Sequence, residues 1–346
     1  MKKKKKSVLV VGAGLSGVCV SVQLLKVGAE VTLIDNGINH CSKIAAGLIN
    51  PLVFRRMTKS WRADEFIPYL KKFYSALEKE TSRTFFHAMP VRRLFSSQQE
   101  HDLWVKKQST LQFKQYMHTL CDEDYNYSEV KNPHGSGRVK ETFAVDVYSF
   151  FDAVPRWIEQ KGTVLSEEFE TSNIRGLHYK GVLYDDIVFC QGYLNSSNKW
   201  FGKLPIEQTK GELLTIKSQL FPQDFSLNRK SFVLPMGKQL FKVGSNYAWN
   251  DDTIHITEGA KKEILNNLSF ITDETLITVN QQAGVRPTTR NRRPIIGTHP
   301  EFHNYHVFNG MGAKGYMIAP LLSREFADHL INGAPLNTEV DIKRFF

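Results

Sequence analysis

A glycine-rich turn between an apolar run and a helical pattern constrains this chain most. Residues 8–11 form a continuous β-branched and leucine run, which is typical of a strand buried on both faces of a parallel sheet. A helical pattern follows over residues 15–27, Gly28 suits a left-handed helix end, and residues 31–34 form a second apolar run. The order of strand, turn, helix and strand predicts a right-handed βαβ unit with two neighbouring parallel strands.

The turn has the spacing GxGxxG and lies where a phosphate site requires it. Its first glycine permits a tight turn, its second lets the backbone approach a pyrophosphate, and its third lets helix and strand pack closely. The helix N-terminus adds N–H donors and a partial positive charge. Asp35 closes the second strand 18 residues beyond Gly17, where a carboxylate can accept hydrogen bonds from ribose hydroxyls. The pattern predicts a dinucleotide site and leaves NAD and FAD open. The turn residues are Gly12, Ala13, Gly14, Leu15, Ser16 and Gly17.

The remaining periodicity predicts an α/β half interrupted by an antiparallel half. Helical patterns cover residues 64–81, 145–160, 258–269 and 319–331. Strand patterns cover residues 184–190, 212–216, 231–235, 239–247 and 276–282, and one further strand ends at 307–308. Residues 85–143 have a mixed pattern and receive no assignment. Because the C-terminal strand and the closing helix return the chain to the α/β half, we expect two discontinuous domains.

Composition narrows the class of protein. Four cysteines with no CxxC pair exclude a disulfide scaffold and a structural metal, and they favour a cytoplasmic protein. Five lysines at positions 2–6 supply half of the net charge of +10, which leaves +5 on the rest of the chain, and we interpret them as a solvated end. Residues 7–25 carry no charge, but their glycines fit a strand, turn and helix better than a membrane span.

Three histidines near the C-terminus, His299, His303 and His306, invite a metal interpretation. Pro300 and their irregular spacing prevent one shared helical face, and no carboxylate or thiolate completes the set. We therefore predict no metal site.

Three further segments, together with the glycine turn, resemble one known family. They are residues 42–51 (SKIAAGLINP), residues 283–289 (AGVRPTT) ahead of 293–297 (RPIIG), and residues 309–320 (NGMGAKGYMIAP). The chain resembles the FAD-dependent D-amino-acid oxidase and glycine oxidase family, which includes sarcosine oxidase and the oxidase domain of a bifunctional tRNA-modification enzyme. The resemblance runs in order over nearly the whole chain and is weakest over residues 85–143.

The resemblance implies a Rossmann-like FAD-binding domain with a parallel-sheet core and a discontinuous antiparallel-sheet substrate domain. The implied boundaries are 1–80, 144–209 and 283–346 for the FAD-binding domain, and 81–143 and 210–282 for the substrate domain.

The same resemblance implies non-covalent FAD. Many relatives have Glu at the position of Asp35, and Cys190 and Gln191 replace smaller residues beside Gly192. Lys314 either places a charge at the flavin edge or points to solvent. The implied cofactor-binding residues are Gly12, Ala13, Gly14, Leu15, Ser16, Gly17, Asp35, Asn36, Ser42, Lys43, Ala45, Ala46, Gly47, Leu48, Gly192, Gly310, Met311, Gly312, Ala313, Lys314, Gly315, Tyr316 and Met317.

The implied chemistry is oxidation of the CH–NH bond of a small amino acid or N-substituted glycine, by hydride transfer to flavin N5. Arg286 matches the arginine that binds the substrate carboxylate in glycine oxidase. Tyr247 either faces the substrate or packs in the core. Lys242 lies where sarcosine oxidase has an oxygen-activating lysine, although a lysine on a strand is usually solvated.

The partners expected are a small-molecule amine or amino acid and either O2 or another electron acceptor, with no membrane. Two alternatives stay open. One is oxidation of a carboxymethylaminomethyl uridine in tRNA, which is also a secondary amine with a carboxylate. The other is a catalytically silent dinucleotide-binding protein. The sequence leaves the substrate and the acceptor undetermined.

Overall fold

The structure is a computed structural model that describes residues 5–38, 41–125, 130–249 and 251–346. Its helices are α1 (Leu15–Lys26), α2 (Cys41–Ile44), α3 (Ala63–Thr81), α4 (Gln98–Gln108), α5 (Asp122–Tyr125), α6 (Val147–Lys161), α7 (Glu258–Leu268) and α8 (Gly315–Asn332). Its strands are β1 (Ser7–Val11), β2 (Glu30–Asp35), β3 (Leu48–Ile49), β4 (Leu52–Val53), β5 (Thr58–Lys59), β6 (Phe86–Ala88), β7 (Val91–Leu94), β8 (Ser136–Val139), β9 (Phe143–Val145), β10 (Thr163–Ser166), β11 (Ile174–Arg175), β12 (His178–Tyr179), β13 (Val182–Leu183), β14 (Asp186–Phe189), β15 (Ile206–Lys217), β16 (Ser226–Arg229), β17 (Ser231–Gly237), β18 (Leu240–Gly244), β19 (Ala248–Trp249), β20 (Ile277–Thr289), β21 (Ile295–Thr298) and β22 (Tyr305–Asn309).

A six-stranded sheet in the order β10-β2-β1-β14-β22-β21 forms the first layer. The first five strands are parallel, and β21 runs antiparallel at one edge. The predicted neighbours β1 and β2 pair in parallel from Ser7 opposite Glu30 to Val11 opposite Ile34. Both faces of this sheet are covered, which explains why β1 is apolar at every position after Ser7. The predicted α/β class is confirmed.

Two apolar cores lie on the two faces of this sheet. Helices α1, α3, α6 and α8 pack together on one face, where Val8 and Val10 point. The other face, with Leu9 and Val11, is covered by aromatic side chains from residues 169–206. The helix predicted over residues 64–81 forms as α3 and buries one apolar stripe, since Phe66, Leu70, Phe73, Tyr74 and Leu77 are all in the core.

The second large sheet is mostly antiparallel and has eight strands. The path β19-β15-β18-β17-β16-β7-β8 describes seven of them, and β20 pairs with β15 on its other side. One pair, β7 with β16, is parallel. Helix α7 covers one face of this sheet with Ile264 and Leu268. The opposite face lies towards α2 and the first sheet, because Gly284 of β20 approaches Cys41.

The structure departs from the sequence predictions at several element ends. The helix predicted from residue 145 begins at Val147, because Val145 pairs in β9. The strand predicted over 276–282 continues to Thr289, and the closing helix begins at Gly315. The described part of residues 85–143 holds three short strands, two helices and the first residue of β9. Of the five lysines interpreted as a solvated end, Lys6 pairs with Asp186 at 2.8 Å, and positions 2–4 lie outside the described residues.

Candidate active site

An elongated cavity of about 630 Å³ lies between the two large sheets. It begins at the carboxyl ends of β1, β2 and β14, which is where open α/β sheets bind ligands. It continues along α2 and the turn before α8 to the face of the second sheet that carries Arg286. Its volume is in the range of about 300–1,000 Å³ typical of small-molecule and cofactor sites.

The glycine turn at the first end of the cavity is built for close backbone approach. Gly12 has φ +100°, and a Cβ there would lie 2.7 Å from the carbonyl oxygen of Cys190. Asp35 fixes the turn, since its carboxylate accepts from the N–H of Ala13 at 2.6 Å and of Gly37 at 2.6 Å. In the first turn of α1 the N–H of Leu15 donates to the Ser42 hydroxyl, while the N–H groups of Ser16 and Gly17 have no partner within the helix and are available to a phosphate.

The hydrogen-bonding groups at this end of the cavity fit a dinucleotide of the predicted kind. Gly14 and Ser16 line the cavity at the positive end of α1, and Asp35 lines it at the end of β2. Gly17 lies outside the lining, because it packs against the carbonyl oxygen of Gly12, as the role of the third glycine requires.

The start of α1 and the residues around the start of α8 hold the segment 42–50, which follows β2. Ser42 accepts a hydrogen bond from the N–H of Leu15 at 3.1 Å, and its carbonyl accepts one from the Tyr316 hydroxyl at 2.7 Å. Lys314 donates to the carbonyl oxygen of Asn50 at 2.7 Å. Burial lowers the pKa of Lys314 to about 8. Lys314 therefore lines the cavity while its ammonium is bound by backbone, which neither sequence interpretation anticipated.

Arg286 lies at the second end of the cavity with part of its guanidinium unpaired. Its Nη2 donates to the Ser245 hydroxyl at 2.8 Å, and its Nη1 is buried without a hydrogen-bond partner in the described part of the chain. The guanidinium lies directly over Gly211, where a Cβ would be 1.9 Å from Nη2. The ring of Tyr247 lies 4.7 Å from its Cζ, and more than half of the Tyr247 side chain stays exposed. A planar cation with a free buried donor is suited to a carboxylate.

Lys242 lies behind the cavity wall. Its Nζ donates to the carbonyl oxygens of Ile44 and Ala45, both at 3.2 Å, and lies 5.4 Å from the ring of Tyr148. Burial lowers the pKa of Lys242 to about 8, and the charge of Asp146 opposes this shift.

The structure brings most of the predicted site residues together around this one cavity. Tyr247 and Arg286 line it, as do most of the predicted cofactor-binding residues. Lys43 lies outside the lining, with its Nζ 5.8 Å from the ring of Phe151. The predicted residues that do not line the cavity are Ala13, Gly17, Lys43, Lys242 and Gly310.

Sequence reasoning missed several lining residues. Glu168 and Phe169 follow β10, whose Ser166 lies opposite Asp35, so the pairing of β10 with β2 places them at the first end of the cavity. No local signal marks them. Gly211 did have a signal, because a glycine inside a strand often marks a close approach of another group. Ser245 lies two residues before predicted Tyr247 and has no motif of its own.

Two features, a metal site and a membrane-spanning helix, are absent from the part of the chain that the structure describes. No group of three or more His, Cys, Asp or Glu residues is arranged to hold a metal ion. Within the same described ranges, no helix has both the length and the apolar character needed to cross a membrane.

Comparisons with known sequences match the chain along nearly all of its length. A family model described as FAD dependent oxidoreductase matches residues 7–329. The uncharacterized oxidoreductase YurR of Bacillus subtilis (strain 168) is 23% identical over 384 aligned positions, covering 98% of this chain and 98% of YurR. The tRNA 5-methylaminomethyl-2-thiouridine biosynthesis bifunctional protein MnmC of Psychrobacter cryohalolentis is 26% identical over 98 residues, covering 26% of this chain and 14% of MnmC.

Solved structures share the fold. Glycine oxidase from Geobacillus kaustophilus superposes with a TM-score of 0.81 at 16% identity, over 96% of each chain. Iminodiacetate oxidase from Chelativorans sp. BNC1 superposes with a TM-score of 0.77 at 16% identity, also over 96% of each chain. At these identities the likeness establishes the arrangement of the two sheets and leaves the substrate open.

Proposed function

The chain belongs to the family of FAD-dependent oxidoreductases, and on this premise we propose that it oxidises the CH–NH bond of a small amino acid or N-substituted glycine. The observation that carries the proposal is the Arg286 guanidinium, which lines the cavity with Nη1 buried and unpaired in the described part of the chain. In this proposal FAD occupies the cavity from the glycine turn to the second sheet. Two relatives of the same fold are named for glycine and iminodiacetate, and both compounds carry a carboxylate beside an amine.

The residues of the chain bind and orient the substrate in this proposal. Arg286 binds the carboxylate in a bidentate pair, which burial strengthens. Ser245 accepts a hydrogen bond from Nη2, and the ring of Tyr247 packs against the guanidinium, so the guanidinium keeps one orientation. Bound FAD supplies the hydride acceptor. The amine of the substrate then lies between the carboxylate clamp and the cofactor, and no dedicated base is required if the amine arrives neutral.

The test is anaerobic reduction of the holoprotein. Glycine, sarcosine, D-amino acids and D- and L-proline are added in turn, and bleaching of the flavin absorption bands reports oxidation. We expect one of these compounds to bleach the bands. Arg286→Ala should weaken binding of the reducing substrate by about 2–5 kcal/mol, because it removes one partner of a buried charge pair. Arg290→Ala is the matched control, since Arg290 is exposed in the turn after β20. Equal effects of the two substitutions would contradict the clamp.

The tRNA alternative is supported only by the short match to MnmC. It predicts no bleaching by small amines, together with tRNA binding that weakens steeply with salt in a variant lacking residues 2–6. Bound flavin with neither response would favour a catalytically silent protein. The acceptor is identified by reoxidising the reduced holoprotein with O2 or with an artificial electron acceptor.

A further inference from the structure

The charges around the cavity are divided between its two ends. Among the described lining residues, the acidic ones are Asp35 and Glu168, and both lie at the end where β2 and β10 terminate. The end on the second sheet has two basic residues, Arg286 and Lys230, and no described acidic residue lines it. One carboxylate neutralises only one of these two cations.

Lys230 is accompanied by a second donor whose direction is fixed. Arg93 donates from Nη1 to the side-chain oxygen of Asn228 at 2.8 Å, and Glu100 in turn holds Arg93 through two hydrogen bonds. Because a guanidinium only donates, the Asn228 oxygen must face Arg93, and the NH2 group is left free to donate. Asn228 and Lys230 both line the cavity, and the structure gives neither Asn228 Nδ2 nor Lys230 Nζ a hydrogen-bond acceptor among the described residues. The Lys230 side chain is exposed, and its Nζ lies 5.3 Å from the ring of Phe270.

The space between the two basic residues is apolar. The register places Leu213, Gly244 and Phe232 in one row across the sheet, and Asn228 ends that row. Three strand spacings of about 4.8 Å separate Leu213 from Asn228, which makes about 14 Å. The Arg286 guanidinium lies over Gly211, two residues or about 7 Å from Leu213 along β15, so the diagonal from Gly211 to Asn228 is about 16 Å. Subtracting a hydrogen bond of about 3 Å at each end leaves about 10 Å for an apolar arm with its terminal groups.

We propose that the substrate carries a second acidic group at the far end of an apolar arm, and that Lys230 and Asn228 bind this group. The inference rests on the proposed function, since it takes Arg286 as the site of the first carboxylate. The substrate class is then an N-substituted glycine or amino acid whose arm ends in a carboxylate. Lys230 and Asn228 determine specificity and take no part in the chemical step.

The test measures binding of non-reacting dicarboxylates to the holoprotein, by flavin difference spectra and by titration calorimetry. The probes are acetate, succinate, adipate and suberate, with monomethyl suberate as a ligand that keeps the arm and loses one charge. We expect affinity to rise along the series, with suberate binding at least tenfold more tightly than its monomethyl ester. Lys230→Gln should remove this difference and leave acetate binding unchanged.

Lys238→Gln is the matched control. Lys238 and Lys230 both occupy hairpin turns of the same sheet with similar left-handed backbone, at φ +54° and +59°. Equal binding of suberate and its monoester to the wild type would overturn the inference, as would equal losses in Lys230→Gln and Lys238→Gln. Failure of the proposed function looks different, because acetate binding would then be the same in Arg286→Ala as in the wild type. If no carboxylate binds at all, both proposals are wrong.

Discussion

Gly211→Ala tests the carboxylate clamp without touching a charged residue. A Cβ on residue 211 would lie 1.9 Å from Nη2, 2.2 Å from Nη1 and 2.3 Å from Cζ of Arg286. Non-bonded heavy atoms need about 3.5 Å, so the guanidinium must withdraw by about 1.5 Å. The obstructing atoms are the far end of a flexible side chain, and Arg286 can therefore move while the strand stays in place.

The expected loss follows from the geometry of the clamp. A shift of about 1.5 Å breaks at least one of two charge-assisted hydrogen bonds to the carboxylate. Hydrogen bonds to charged groups contribute about 1.5–3 kcal/mol, which corresponds to roughly tenfold to 150-fold weaker binding. The assay is the Kd of acetate and of the reducing substrate, measured from flavin spectra, together with the Tm of each variant.

A second glycine substitution serves as the control for Gly211→Ala. Gly259→Ala is the control, because Gly259 has nothing within 4 Å of its position for a Cβ. Both variants should keep the Tm within a few degrees of the wild type. Gly211→Ala added to Arg286→Ala should weaken binding no further, since the two changes act on one interaction. Wild-type binding in Gly211→Ala, or full additivity in the double variant, would show that the clamp is wrongly placed.

Two buried lysines provide the remaining predictions. The folded chain holds Lys314 at a pKa of about 8, and the unfolded chain keeps the ordinary value of 10.5, so the unfolded state binds more protons between these values. Stability contributed by this lysine therefore rises with pH across that window. The unfolding free energy of the wild type relative to Lys314→Met should increase by about 2 kcal/mol from pH 8 to 10 in urea titrations, and a flat or falling difference would contradict the burial. Lys242→Met should raise the Kd of FAD at least tenfold, measured by flavin fluorescence. The reason is that the carbonyl oxygens of Ile44 and Ala45 lose hydrogen bonds that contribute about 1–3 kcal/mol. Lys217→Met is the control and should leave the Kd unchanged, because Lys217 is exposed.

Local signals made the first part of the fold predictable. The strand, turn, helix and strand over the first 35 residues depend on glycines and on apolar runs that lie close together in sequence, and β1, α1 and β2 form as expected. The stripe on α3 has the same character. Such patterns are readable because the residues that satisfy one another are neighbours along the chain.

Non-local pairing explains what could not be predicted. Strand β7 pairs with β16, more than a hundred residues away, and neither strand exceeds four residues. Strand β20 continues through Gly284 and Pro287, which ordinarily interrupt a strand. β20 pairs only with β15 among the described strands, and an edge strand is where proline is tolerated. The predicted domain boundaries and the roles of the site residues stay predictions.

The same contrast applies to the segment that lines the middle of the cavity. Residues 45–47 are two alanines and a glycine, which carry no functional side chain, yet side chains from distant elements bind the carbonyls around them. Lys242 of β18 binds Ile44 and Ala45, and Lys314 binds Asn50. In a trans peptide the C=O and the following N–H point in opposite directions, so a carbonyl turned towards Lys242 turns the N–H of Ala46 away from it. Ala46 itself lines the cavity, and we propose that Lys242 orients its N–H in this way. We therefore propose that Lys242 is a positioning residue, whose effect appears in FAD affinity before it appears in reaction with O2.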